Sequence, residues 1–153
     1  MQWQVLRFAE LDTYTLYSIL QLRVDVFVVE QNCPYPELDD KDLDARTRHV
    51  FLQKGDNVIA YARVLAPDIG FADFPAIGRV CVAQTARRLG LGQVLMSENI
   101  KVVNTLWPNT DIHISAQSYL QQFYHELGFK PAGEPYVEDD IPHLKMIKPV
   151  NIG

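Results

Sequence analysis

Arg87-Arg88-Leu89-Gly90-Leu91-Gly92 stands between an apolar run, Ile77 to Ala83, and a segment from Leu91 to Leu106 in which Leu91, Val94, Leu95, Val102 and Leu106 share one side at helical spacing. In order, this is a strand, a glycine-containing turn and a helix. A helix N-terminus offers backbone N–H groups without intrahelical partners and the positive end of the peptide dipoles, so it suits an anion such as a pyrophosphate. Gly90 and Gly92 remove the Cβ atoms that would obstruct that approach. Arg87 and Arg88 add two cations able to grip phosphate in a chain whose net charge is −5. The glycines alone are equally compatible with a plain packing loop. A Walker loop needs Gly-Lys-Ser or Gly-Lys-Thr, and a dinucleotide-binding turn needs Gly-x-Gly-x-x-Gly. Neither pattern is present here.

Toward the N-terminus, Trp3 to Phe8 reads as a strand, and Asp12 is placed to cap a helix carrying Leu16, Ile19, Leu20, Val24 and Phe27 on one face and ending near Glu30. From Gln31 to Arg46 the pattern breaks into Pro34, Pro36 and the acids Glu37, Asp39, Asp40, Asp42 and Asp44. Such a run reads as a solvated loop, and a connection of that length in a small domain is often functional. His49 to Gln53 and Val58 to Val64 flank Gly55-Asp56-Asn57, a hairpin signal. Toward the C-terminus, Trp107-Pro108 stops the second helix, Asp111 to Ala116 is a strand, and Tyr119 to Leu127 is a helix ended by Gly128. Strands follow at Phe129 to Pro131 and His143 to Lys148. The expected fold is a layered α/β (α+β) domain over residues 1–153: a mixed, mostly antiparallel sheet of about six to seven strands with flanking helices.

The 153 residues suffice to bury a core, and 48% hydrophobic with 22% charged residues is ordinary for a globular protein. The acidic balance argues against nucleic acid and membrane partners, both of which draw on clustered Lys and Arg, and favours a cationic or neutral substrate. With neither a signal-like N-terminus nor an apolar run of spanning length, a cytoplasmic location is expected. Cys33 and Cys81 are the two cysteines, too few for a zinc site or a disulfide framework, so free thiols and no metal are expected.

The segment Arg87-x-x-Gly90-x-Gly92 after a strand resembles the signature of the GNAT superfamily of N-acetyltransferases. A second feature lies in the right order: Ser115-Ala116 ends a strand, and Phe123-Tyr124-His125-Glu126-Leu127-Gly128-Phe129 is similar to that family's Phe-Tyr-x-x-x-Gly-Phe segment. Leu22 to Tyr35, with Glu138-Asp139-Asp140-Ile141-Pro142-His143, resembles the ElaA-like branch. The resemblance covers nearly the whole chain and implies an acyl-CoA N-acyltransferase fold. It implies acetyl-CoA as cosubstrate, with its pyrophosphate on Arg87, Arg88, Leu89, Gly90, Leu91 and Gly92. The backbone of Val80, Cys81 and Val82 would pair with the pantetheine amides between two splayed strands.

Tyr124 matches the family's general acid toward the CoA sulfur, and its alternative is an aromatic core position beside Phe123. For the base, His143, Glu138, Asp139, Glu37 and Glu30 all qualify by chemistry, with His143 nearest neutrality in its ordinary pKa. Tyr35 and Glu37 are expected to contact the acceptor, because by resemblance the segment after the first helix walls the acceptor cleft. The expected activity is acetyl transfer from acetyl-CoA to a primary amine of a small molecule, peptide or protein. The alternative is a CoA-binding sensor without turnover, and a homodimer is compatible with either.

Overall fold

Residues 2–150 are described in the computed structural model. Strand β1 (Trp3–Leu6) gives way to a 3-10 turn at Phe8–Glu10, and Asp12 then starts helix α1 (Thr13–Val24) by accepting the Thr15 N–H at 2.7 Å. That bond satisfies one of the donors a helix leaves open at its start. The helical path continues to Glu30, as the spacing predicts, but its last stretch, Asp25–Glu30, widens into a π-helix. The next strands are β2 (Arg48–Lys54) and β3 (Asn57–Leu65), joined by Gly55-Asp56. Gly55 has φ +62° at the first central position of this two-residue hairpin, a conformation that glycine adopts freely.

Strand β4 (Ala76–Val82), helix α2 (Leu91–Leu106), strand β5 (Ile112–Gln117) and the short helix α3 (Gln121–Glu126) follow in the expected sequence. The chain closes with β6 (Lys130–Pro131), β7 (Tyr136–Glu138) and β8 (Ile141–Lys148). Strand β7 is absent from the sequence reading. Asp139 and Asp140 turn it into β8 with φ of +49° and +63°, a tight hairpin built from residues that tolerate left-handed backbone better than most.

The eight strands of the described residues form one sheet in the order β1-β2-β3-β4-β5-β8-β6, with β7 also on β8. Every pairing is antiparallel except β4 with β5. One face carries the larger core, in which Val50, Ala62, Ile114 and Met146 pack with Leu95, Met96, Val103, Tyr124 and Phe129 from and near α2 and α3. The other face packs Phe51, Val58, Tyr61 and Cys81 against Ile19, Leu22 and Val26 of α1 and its extension.

His113 on β5 is 4% exposed, stacked on Phe74 at 4.1 Å and met edge-on by Phe71 at 5.4 Å. Neither of its ring nitrogens has a hydrogen-bond partner among the described residues. Burial, then the neighbouring Lys145 cation, lowers its pKa below the usual imidazole range, although Asp111 opposes the shift. The unfolded chain therefore takes up the proton first, so the stability this histidine allows is present above about pH 6.5 and is lost as pH falls below it. The melting temperature should accordingly drop between pH 7.5 and 5.5. His113→Phe keeps the aromatic sandwich and should reduce that drop, leaving the part due to buried His49, whose pKa burial also lowers.

Candidate active site

The parallel neighbours β4 and β5 meet at one registered pair, Ala76 with His113, supported by the His113 N–H to Pro75 carbonyl bond at 3.0 Å. Beyond it they diverge. The β5-facing edge of β4 from Gly78 to Val82 therefore has no strand partner among the described residues, and backbone groups left this way call for another ligand. A cleft of about 710 Å³ opens there.

A bulge interrupts β4 at the mouth of this split. Tyr61 opposes Cys81 and Arg63 opposes Gly78, so Arg79 and Val80 together face Ala62. Arg79 has φ +53°. The inserted residue inverts the side-chain phase, and Ile77 joins the α2-side core while Cys81 joins the α1-side cluster. In an unbroken strand both would point the same way.

The bulge is held by the segment that reads as a solvated acidic loop. Its carboxylates instead fold onto arginines: Glu37 takes hydrogen bonds from Arg23 Nε at 2.7 Å and Arg79 Nε at 2.8 Å, and Asp42 takes them from Arg23 Nη1 at 2.8 Å and Arg63 Nη1 at 3.1 Å. Asp39 pairs with Arg63 at 2.8 Å. Arg23 is 0% and Arg63 3% exposed between α1 and the sheet, and a buried guanidinium requires a counter-charge. Burial alone would raise the Asp39 carboxyl, but Arg63 holds it down to about 2. His49 joins the edge of this network. Its Nε2 donates to the Asp42 carbonyl at 3.2 Å, since a carbonyl only accepts, and its Nδ1 takes the Tyr61 hydroxyl at 2.7 Å.

The anion-type turn has the expected backbone. Arg88 and Gly90 are left-handed, at φ +68° and +74°, and Gly90 is the N-cap of α2 without any side-chain cap. A Cβ at Gly90 would meet open space, whereas one at Gly92 would touch the Phe123 ring at 3.5 Å. Arg87 is already engaged: it donates to both Glu30 carboxylate oxygens at 2.6 and 2.7 Å and to the Val82 carbonyl at 3.1 Å. Arg88 and Leu89 are exposed.

The family model described as an acetyltransferase (GNAT) domain matches residues 21–150. The chain belongs to the GNAT acetyltransferase family. It is 43% identical to the ElaA protein of Escherichia coli K12 over 98% of this chain and 97% of that one. The crystal structure of Escherichia coli ElaA superposes with a TM-score of 0.90 at 42% identity, covering 97% of this chain and 99% of that one. That of an acyl-CoA N-acyltransferase from Pseudomonas aeruginosa gives 0.89 at 41%, with the same coverage. This chain is therefore an acyl-CoA N-acyltransferase by family and fold, and the expected ElaA-like character holds.

An acyl-CoA fits this GNAT enzyme on its own geometry: the open β4 edge suits the amides of an extended pantetheine, and the uncapped start of α2 suits a pyrophosphate. The cleft gathers Val80, Cys81, Arg87, Tyr35, Tyr124 and His143 along its walls. Tyr124 is 7% exposed, edge-on to Phe123 and Phe129, and burial raises its phenol well above the ordinary range. The Cys81 thiol is raised by burial too, which makes it a poor nucleophile. Glu37 is 5% exposed, its carboxylate taken up by Arg23, Arg79 and the Tyr35 hydroxyl. Sequence reasoning missed Arg23, Arg63 and Arg79, whose signal was a charge set at inward positions of apolar segments, and it missed the Glu30–Arg87 pair.

Replacing Arg79 by Ala or Gly removes the same ion pairs, but only Gly relieves the positive φ. Arg79→Ala should cost about 2 kcal/mol of stability by removing one of the two arginine partners of Glu37 and of Asp39. Arg79→Gly should be about 1 kcal/mol less damaging. Urea unfolding midpoints of the two variants measure the difference, and equal midpoints would mean that the bulge stores no strain.

Proposed function

We propose that this enzyme transfers the acetyl group of acetyl-CoA to a primary amine of a small molecule, peptide or protein by direct attack within the β4–β5 cleft. The observation that carries this reading is the unpaired β4 edge lying in one cleft with Tyr124 and His143. When bound, acetyl-CoA supplies an acetyl group activated as a thioester. The main chain of Val80, Cys81 and Val82 holds the pantetheine amides by strand-like pairing. The first amides of α2, approached across Gly90 and Gly92, hold the pyrophosphate, with Leu89 and Leu91 framing the turn and exposed Arg88 as the nearby free cation. Arg87 orders that turn through Glu30 and Val82 and keeps its charge close to the phosphates.

Tyr124 serves as the acid. Its hydroxyl is protonated throughout the neutral range, as any phenol is, and can donate to the sulfur as the thiolate leaves. His143 serves as the base. Its Nδ1 lies 2.7 Å from the Ile141 carbonyl and must carry the hydrogen there, which leaves Nε2 as the acceptor when the ring is neutral. Tyr35 walls the acceptor side, and Glu37 acts at one remove by holding Tyr35 and Arg79. We infer a cytoplasmic enzyme, and among the described residues no helix is long and apolar enough to cross a membrane.

Two variants test the halves of this reading. Gly90→Val puts a β-branched side chain before α2 at φ +74°, which both blocks the approach and strains the turn, so calorimetry should show CoA affinity reduced at least about tenfold in a protein whose melting curve shows it folded. Unchanged affinity would remove the pyrophosphate assignment. Tyr124→Phe keeps the ring and removes the donor, so single-turnover acetyl transfer should slow roughly 10²-fold while the acetyl-CoA Kd stays the same. Wild-type rates in that variant would return Tyr124 to the core, and binding of acetyl-CoA without turnover of any amine would make the wild type a sensor.

A further inference from the structure

The carboxylates along the cleft are not equivalent. Glu30 is bonded to Arg87, and Asp39 to Arg63 and Arg79. Glu138, at the end of β7, forms no pair with an arginine or lysine among the described residues, and its side chain is 54% exposed. Among the described residues its one ion-pair contact is with His143, which is charged only when protonated and whose Nε2 lies 3.5 Å from Glu138 Oε2.

That contact is incomplete as it stands. Because His143 Nδ1–H is committed to the Ile141 carbonyl, a neutral ring presents a lone pair at Nε2. Nε2 and the carboxylate are then two acceptors facing each other, and only a proton donor between them, or an added proton, makes the pair attractive. The His143 side chain is 90% buried, yet the residue lines the cleft. Around this gap, Tyr136 stacks on the imidazole at 6.0 Å and 21°, and its hydroxyl is hydrogen-bonded to Ser115 Oγ, itself 3.5 Å from Glu138 Oε2. Lys145, across from Ser115 in the ladder, carries its Nζ over the Phe71 ring at 5.4 Å instead.

We propose that Glu138, His143, Ser115 and Tyr136 form the acceptor's ammonium subsite, and that the acceptor is a primary amine bearing a flat apolar group that lies against Tyr136. This rests on the acetyltransferase reading. The ammonium donates one N–H to Glu138, whose one hydrogen-bond donor among the described residues is the distant Ser115 hydroxyl at 3.5 Å, and one to His143 Nε2, which has none there, and the ring beside them is an aromatic surface that a cation favours. Two protons leave the nitrogen in all. The first passes to His143 Nε2 and on to solvent, freeing the lone pair that forms the C–N bond as the C–S bond breaks. The second leaves as the amide forms and replaces the proton that Tyr124 gives to the sulfur. A neutral alcohol has one O–H and can make at most one of these bonds, without charge, and a carboxylate can make neither.

Phenethylamine is the probe, with phenethyl alcohol and 3-phenylpropanoate as its neutral and anionic counterparts. Calorimetry with acetyl-CoA comes first, on the wild type and on Glu138→Gln. A wild type that does not bind acetyl-CoA defeats the acetyltransferase reading itself. With equal acetyl-CoA Kd and equal melting temperatures in both, thiol release at varied phenethylamine should show KM raised about tenfold or more in Glu138→Gln, with a smaller change in kcat. Glu138→Asp should recover part of that loss, and the alcohol and the carboxylate should not compete. The subsite is overturned if a wild type that binds acetyl-CoA neither binds nor acetylates phenethylamine. An unchanged KM in Glu138→Gln, or competition by the alcohol as strong as the amine's own affinity, overturns it equally.

Discussion

Three guanidinium groups beneath α1 dictate how the α1-side layer is built. Arg23, Arg63 and Arg79 come from a helix and two adjacent strands, and the buried pair, Arg23 and Arg63, would be prohibitively costly there without a counter-charge. Glu37, Asp39 and Asp42 meet the three one for one, so the set is formally neutral. Each of these carboxylates bonds two arginines. The connection from α1 to β2 is consequently fixed by ion pairs where a small domain usually relies on apolar packing. Its course over β3 and β4 brings Tyr35 to the cleft wall and anchors Arg79 in a conformation its side chain alone would not favour.

The bulge at Arg79 and the divergence of β4 from β5 work together. One inserted residue turns the second half of β4 over, so that Cys81 packs beneath α1 while the β5-facing edge stays open. The β5–β8 ladder continues as a rigid antiparallel pair on the far side, carrying Ser115 and His143. The two halves of the sheet thus present different chemistry across one gap: main chain from β4 on one side, polar side chains from β5, β7 and β8 on the other. Tyr124 stands at the floor of this gap on α3, a helix too short to persist without the packing of Phe123 and Phe129 around it.

The parts of this arrangement that follow local rules were legible in the sequence. Asp12 caps its helix, Gly55-Asp56 turns its hairpin, and Gly90 and Gly92 mark the turn into α2, because each depends on near neighbours in the chain. What was not legible depends on residues far apart in the chain. The acidic run from Glu37 to Asp42 has the composition of a solvated loop, and only the fold brings Arg23, Arg63 and Arg79 against it. In the same way, Asp139-Asp140 has none of the glycine that usually marks a two-residue turn, so β7 and the position of Glu138 were hidden. The strand split at β4 was expected only through the family resemblance, since nothing in the run Ile77 to Ala83 itself signals a missing partner.

The β7–β8 hairpin has a dynamic consequence. Strand β7 spans three residues, is exposed along its length, and pairs with β8 alone. Its turn sets two like-charged aspartates in left-handed backbone. Across the cleft, Cys33 Sγ donates to the Asp139 carbonyl at 2.9 Å, a weak latch between two otherwise separate segments. Such an element lies at the low end of local stability, so its amides should exchange with solvent through small openings that leave the β5–β8 ladder protected. Tyr136 and Glu138 would ride on that motion. A wall that breathes in this way admits amines of differing bulk while β4 and the start of α2 stay still.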